Sequence, residues 1–403
     1  MNKKYLLGIC LLSFGLTLFA EDGSKLWLRQ ASCEKASVCC SISSPTITIA
    51  REELASLWRG KAVELQLFAD EVHHKLGKEG YTIRTSDEKI VLGSTTEQGL
   101  LYAAYHLLRL QAEGADCTRL DLAEKPAFDV RVLNHWDNLD GTIERGYAGK
   151  SLWQWDELSD TMSARYQEYA RANASVGING TVLNNVNASV KILSSEYLEK
   201  IRVLADIFRP YGIKVYLSVN FASPMQLGGL STADPLNEEV VEWWKKKVHE
   251  IYSLIPDFGG FLVKANSEGQ PGPCDYGRTH AEGANMMARA LKPYGGIVMW
   301  RAFVYSPSDA DRAKQAYLEF KPLDGKFLDN VIVQVKNGPI DFQPREPYSP
   351  LFGAMPHTPL MAEFQVTQEY LGHSNHLAYL ATMWKEFYRY VSPASLKGVA
   401  GVA

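Results

Sequence analysis

The sequence has no basic block. Its 42 lysines and arginines are scattered and nearly balanced by 46 aspartates and glutamates, for a net charge of −4 over 403 residues. That balance excludes the electrostatic footprint of a nucleic-acid binder. Cysteine is scarce, six in all, and Cys10 lies inside an N-terminal apolar run. Cys33, Cys39, Cys40, Cys117 and Cys274 match no metal-ligand spacing. A bridge from Cys33 to Cys39 or Cys40 is open in an oxidising compartment. A chain of this length folds without such staples, so the cysteines read as structural or incidental. Beyond residue 20 no apolar run reaches the roughly 18 residues that a membrane-spanning helix needs.

What is present is an ordinary globular composition, 46% hydrophobic and 22% charged, which excludes wholesale disorder and fibrous repeats. Aromatic residues make up 11%, with nine tryptophans; such rings fill cores, and they also serve as apolar platforms in sugar-binding clefts. Lys3 and Lys4 precede an apolar run from Tyr5 to Ala20, and Glu21 and Asp22 follow at once. This is the pattern of a secretory signal peptide over residues 1–20. The mature chain is therefore expected to be exported, periplasmic or extracellular, with no membrane attachment after cleavage.

Residues 21–125 read as a small α/β domain. Thr46 to Ile49 and Lys89 to Leu92 have the pattern of short strands, and 115–126 that of a polar connector. Leu100, Leu101, Ala104, Leu107 and Leu108 recur at helical spacing between Glu97 and Gln111. Over 126–403 one unit recurs: a short apolar strand with a polar end, a loop, then a helix. Strands begin at Val130, Gly180, Lys214, Gly260, Ile297, Val331 and Met361, and Gly398 to Val402 supplies an eighth. One intervening helix, 195–209, is stopped by Pro210 and Gly212; another is capped by Asn237 and stopped at Pro256. The alternation predicts an α/β fold with parallel units, and eight of them predict a closed (β/α)8 TIM-type barrel behind the small domain. An open doubly wound sheet would carry a glycine-rich turn after its first strand, and Asn134-His-Trp-Asp-Asn138 is not one.

A barrel of this kind carries its site at the carboxyl ends of its strands. There the sequence supplies amides, aromatics, the acids Glu268, Asp341, Glu363 and Glu369, the cations Lys264, Arg301 and Lys336, and a single histidine, His135. Without a Ser-His-Asp order, a phosphate loop or a histidine cluster, metal-dependent and serine chemistry lack support, and no metal or other cofactor is expected. Carboxylates among amides and indoles suit glycoside hydrolysis: one carboxyl protonates the leaving oxygen, and another activates water or attacks the anomeric carbon. Glu268 leads the candidates, on a loop bounded by glycines and prolines just past strand four. Asp341 and Glu369 follow strands six and seven, and each alone reads as readily as a surface or capping acid. The three cations either pair with these acids or bind an anion. A planar carboxylate suits an arginine fork and lysine charges, which places a uronic acid above a neutral sugar.

Val132 to Ser151 (VLNHWDNLDGTIERGYAGKS) resembles the first-strand signature of the family 67 α-glucuronidases, and Gly260 to Pro273, Val331 to Gly353 and Glu363 to Gly372 (EFQVTQEYLG) resemble later blocks of that family. The resemblance implies an exo-acting, inverting hydrolase that removes α-1,2-linked glucuronic acid, or its 4-O-methyl ether, from xylo-oligosaccharides. It implies Glu268 as general acid and Asp341 and Glu369 as the carboxylates acting on water. Lys264, Arg301 and Lys336 would surround the uronate, Trp136 would form a pocket wall, and Val186 would lie near the methyl ether. The residues alone do not separate Glu369 from Glu363; the motif does. Members of the family continue past the barrel into a helical C-terminal domain, whereas this chain is expected to stop inside an unfinished eighth strand with open edges. A homodimer is expected only where that further domain is present. The alternative is a truncated, non-catalytic remnant that at most binds acidic sugars; a hexosaminidase-like exo-glycosidase is a third reading, disfavoured by the three cations.

Overall fold

The computed structural model describes residues 26–28, 36–158, 163–303, 312–339, 341–342, 346–366 and 379–402. The expected signal segment, Cys33 and Glu369 lie outside the described residues. Among those described, Cys39, Cys40, Cys117 and Cys274 are free thiols, and no helix is long and apolar enough to cross a membrane.

The N-terminal part is a five-stranded sheet of β1 (Val38–Cys40), β2 (Ala62–Leu67), β3 (Tyr81–Thr85), β4 (Lys89–Ser94) and β5 (Asp121–Glu124), in the spatial order β1-β2-β4-β3-β5. The β1–β2 and β2–β4 pairs are parallel, and β3 runs antiparallel to β4 and β5. Two expectations need correction here. Thr46 to Ile49 is not a strand but the first turn of the helix Pro45–Leu57. Pro45 occupies the first turn and the Ser44 hydroxyl accepts the Ile47 N–H, so local start signals override the β-preference of the Thr-Ile alternation. The helical register then buries Ile47, Ala50 and Leu54. Part of the polar connector is also a strand: β5 completes the sheet by pairing with β3, although three of its four residues are exposed.

The second part is a closed, all-parallel barrel of β6 (Val130–Asn134), β7 (Gly180–Val182), β8 (Lys214–Ser218), β9 (Gly260–Val263), β10 (Ile297–Arg301), β11 (Val331–Lys336), β12 (Leu360–Gln365) and β13 (Gly398–Val402). The expected open edge is corrected too. β13 pairs with β12 from Met361↔Gly398 to Gln365↔Val402, and with β6 from Gly398↔Val130 to Val402↔Asn134. All five of its residues are laddered on both sides, which closes the cylinder. The helices between strands carry the expected caps, as at Asn237, whose side chain accepts from Glu239 N and Val240 N.

Strand alternation explains where the charges go. Val132, Tyr216, Leu262, Met299, Ile332 and Met361 form an apolar layer inside the barrel. Two residues further along the same strands come Asn134, Ser218, Lys264, Arg301, Gln334 and Glu363, all buried. Period two keeps these on the inward face, so a polar layer sits above the apolar one at the carboxyl end. The N-terminal domain is bound to the barrel domain by partly buried ion pairs, Arg171 Nη2 to Glu53 Oε2 at 2.7 Å and Arg131 Nη1 to Glu79 Oε2 at 2.8 Å.

Gly260 opens β9 with φ 135°, and a Cβ there would lie 1.9 Å from the Ile297 carbonyl oxygen. Gly260→Ala should therefore destabilise the protein by at least about 1–3 kcal/mol from backbone strain alone. Urea denaturation checks this; an unchanged midpoint would mean that β9 and β10 separate freely.

Candidate active site

Three cations from adjacent strands converge at the barrel mouth around one ring. Arg301 ends β10, Lys336 ends β11 and Lys264 follows β9 directly; all three are buried. The Lys336 Nζ lies 3.1 Å from the Phe303 ring centroid, the Arg301 Cζ 5.2 Å and the Lys264 Nζ 6.0 Å. The ring face supplies part of the negative potential that desolvated cations need. The Arg301 Cζ also lies 5.7 Å from the Trp136 ring. Trp136 and Val186 belong, with Phe342, to the buried apolar cluster that lines the barrel interior.

Each cation meets a carboxylate. Arg301 holds Glu363 in a two-point clamp, Nε to Oε2 at 2.9 Å and Nη2 to Oε1 at 2.6 Å, with both side chains fully buried. Gln334 Nε2 donates to the same Glu363 Oε2. Lys336 Nζ donates to Asp341 Oδ1 at 2.6 Å. Lys264 Nζ donates to Glu268 Oε2 and, at 2.9 Å, to Asn187 Oδ1. Arg145, from the loop after β6, takes the other Glu268 oxygen at 3.2 Å. Glu268 and Asp341 remain reachable, with side-chain exposures of 31% and 29%. Glu363 does not, which separates it from the other two as an internal counter-ion.

The loops that carry these two acids are constrained. Asn266 and Glu268 both have φ 50°, Asp341 has φ 31° and Phe342 φ 57°, left-handed values that cost non-glycine residues energy and persist where surroundings hold them. After β9 the holding contacts are visible: Asn266 Nδ2 donates to Asp275 Oδ1 at 2.9 Å, and Asn266 Oδ1 accepts from Cys274 N at 3.0 Å.

Burial and crowding set the charge states. Burial pushes the Lys336 ammonium down, Arg301 repels it further, and Asp341 and Glu363 only partly compensate, leaving it at about 8. Lys264 is lowered chiefly by burial, against the pull of Glu268. For Glu268, burial favours the neutral acid, but Lys264, Arg145 and Lys336 outweigh it and hold the carboxyl below its ordinary value. Glu363 is likewise kept ionised against burial by Arg301, Lys336 and Gln334. Among the described residues no group of three or more His, Cys, Asp or Glu side chains has the arrangement of a metal site.

A model of the glycosyl hydrolase family 67 middle domain matches residues 110–398. The chain belongs to glycosyl hydrolase family 67. A probable α-glucuronidase A from Aspergillus clavatus is 50% identical over 317 residues, covering 77% of this chain and 38% of that protein. Alpha-glucuronidase A of Emericella nidulans and alpha-glucuronidase of Hypocrea jecorina are each 48% identical over 321 residues, covering 76% and 77% of this chain. The match spans 38% of the length of each of these relatives. Among solved structures, a GH138 enzyme targeting pectin rhamnogalacturonan II superposes with a TM-score of 0.56 at 14% identity, over 91% of this chain and 46% of that one. A GH20 exo-β-N-acetylglucosaminidase from Vibrio harveyi gives 0.51 at 11% identity, over 92% and 66%. At such identities the likeness concerns the fold alone.

The barrel mouth thus brings together Lys264, Arg301, Lys336, Glu268, Asp341 and Trp136, with Val186 in the apolar cluster that also holds Trp136; Glu369 lies outside the described residues. Sequence reasoning did not reach Arg145, Asn187 or Phe303. Phe303 was within reach, because Met299, Arg301 and Phe303 share one face at period two. Arg145 and Asn187 lie in loops, where no periodicity points inward. Arg301→Ala would leave Glu363 buried without its counter-charge and should cost about 3–5 kcal/mol of stability. Replacing both by apolar residues of similar volume should recover most of that loss in urea denaturation. Equal losses in the single and double variants would show that the pair is not the source.

Proposed function

We propose that this chain holds the catalytic barrel of an exported, exo-acting, inverting α-glucuronidase. Its substrate would be an acidic xylo-oligosaccharide carrying α-1,2-linked glucuronic acid or the 4-O-methyl ether. The observation that carries the reading is the pocket floor, where three buried cations face a mouth with two reachable acids on the loops after different strands. The names of the relatives point the same way.

A uronate carboxylate supplies the anion for which this floor is charged. Arg301 is committed to Glu363, but Lys264 and Lys336 are paired with Glu268 and Asp341, acids that the chemistry has to free. A carboxylate entering between the lysines competes for their hydrogen bonds and brings negative charge beside Glu268. Both effects raise that group towards the protonated form a general acid needs. Glu268 then protonates the leaving oxygen, while Asp341, with Glu369, draws a proton from the attacking water on the opposite face. Trp136 and Val186 form an apolar wall suited to a sugar face and a methyl ether.

Two measurements test this. Lys336 is protonated below about pH 8, and uronate binding draws on that charge. The affinity for free glucuronate should therefore hold below pH 8 and fall above it, by up to about tenfold per pH unit. Calorimetric titration from pH 6.5 to 9.5 reads this, and a flat profile across pH 8 removes Lys336 from the uronate site. The second measurement compares leaving groups. Glu268→Ala should abolish cleavage of xylose-linked glucuronate but spare much activity on an aryl glucuronide with an acidic phenol, because only the poor leaving group needs the proton. Asp341→Ala should lose both, and the reverse pattern would exchange the two roles.

A further inference from the structure

A pocket of about 190 Å³ lies at the seam between the two parts of the chain. The N-terminal part gives it Tyr81 from β3, and Tyr102 and Tyr105 from the helix Glu97–Ala112. The barrel part gives it Arg131 from β6, and Val176 at the end of the helix Ala164–Ser175. Arg131 is the second residue of β6, and Val176 precedes β7. The pocket therefore sits at the amino ends of these strands, at the opposite end of the barrel from Glu268 and Asp341.

Its rings are fixed by their hydroxyl groups. Tyr105 donates to Glu53 Oε1 at 3.3 Å, Tyr102 accepts from Arg131 Nη2 at 3.3 Å, and Tyr81 shares a 3.0 Å hydrogen bond with His106 Nδ1. The Ser175 hydroxyl is spent on the Ala172 carbonyl at 2.7 Å. The lining is mainly apolar, and among the described residues it holds no amide side chain to match the hydroxyls of a sugar. A flat ring packs well against such walls. A cavity of about 150 Å³ holds one benzene ring, so this volume suits one ring with a single substituent. The charges say which substituent. Arg131 is matched by Glu79 Oε2 at 2.8 Å, which leaves Arg109 and Lys125 against Glu124, one positive charge in excess. None of these three forms an ion pair among the described residues. Burial holds the His106 imidazole below its ordinary value, and the Arg109 charge lowers it further, against Glu124 and Glu113. His106 Nε2 has no hydrogen-bond partner among the described residues. An unmatched guanidinium beside an imidazole with a spare nitrogen suits a carboxylate, which takes the two N–H groups of the fork.

We propose that this seam pocket binds a small aromatic monocarboxylate, its ring among the tyrosines and its carboxylate on Arg109. The site is independent of the uronate-binding reading of the barrel mouth. Because both parts of the chain line it, its ligand also stabilises their contact. The whole chain would be titrated by calorimetry with benzoate, with benzamide as the uncharged isostere, and with glucuronate. His106 would be followed by proton NMR, its signal assigned through His106→Gln. Benzoate should bind about tenfold more tightly than benzamide, and Arg109→Gln should remove that advantage, as expected for hydrogen bonds to a charged group. Bound benzoate should raise the His106 midpoint, because a nearby anion favours the imidazolium. Val176→Trp, which fills the pocket from an exposed position, should abolish that response. Benzamide binding as tightly as benzoate overturns the anion site. A His106 midpoint unmoved at saturating benzoate puts the anion elsewhere, at the cation floor for example, and overturns the proposal. A response to glucuronate equal to that to benzoate makes the pocket a sugar site and overturns the aromatic assignment. The uronate site at the mouth stands or falls separately, on its own titration.

Discussion

Burying an arginine inside a closed barrel is the constraint around which this site is organised. Arg301 is desolvated on every side, and such a charge is tolerable only with a counter-charge in good geometry and with further hydrogen bonds. Glu363 provides the first through two hydrogen bonds to the guanidinium, and Gln334 adds a third bond to the carboxylate. Those three residues come from β10, β11 and β12, so the clamp also joins three neighbouring strands at the layer where the core ends and the pocket begins. Its fixed charge is then felt by everything nearby. Burial lowers Lys336 to about 8, with Arg301 adding to the fall and Asp341 and Glu363 opposing it.

The remaining charges are arranged differently. Glu268 and Asp341 are partly exposed, sit on loops, and pair with lysines, which are point charges on flexible stems rather than planar forks. Such pairs are exchangeable in a way that Arg301–Glu363 is not. The site therefore combines one fully buried pair with two partly exposed ones. The backbone is left-handed at Asn266, Glu268, Asp341 and Phe342, within the loops that carry these two acids.

Much of this was legible in the residue order. Period-two alternation ending in a polar residue marked the barrel strands and placed Lys264, Arg301 and Lys336 at their mouths, and long motifs located Glu268 and Asp341. The failures have two causes, a local helix start and strand pairing remote in sequence. Thr46 to Ile49 has a β-like pattern, yet a serine cap and a proline start a helix there. β5 is too polar to announce itself and becomes a strand only because β3 has an edge to fill. β13, short and glycine-rich, looked like a stub and is in fact the strand that joins β12 to β6.

The sequence by itself determined the barrel, the family and the identities of the charged groups, because strand periodicity and loop motifs are local properties carried by consecutive residues. Only the tertiary structure decided which acid meets which cation. Arg301 and Glu363 are 62 residues apart, Arg145 and Glu268 are 123 apart, and nothing local distinguishes Glu363 as a locked counter-ion from an acid free to act. That distinction depends on burial and on the closing of a ring of eight strands. Ring closure sets loops from β7 and β11 across one mouth and lets side chains remote in sequence share a field that water no longer screens.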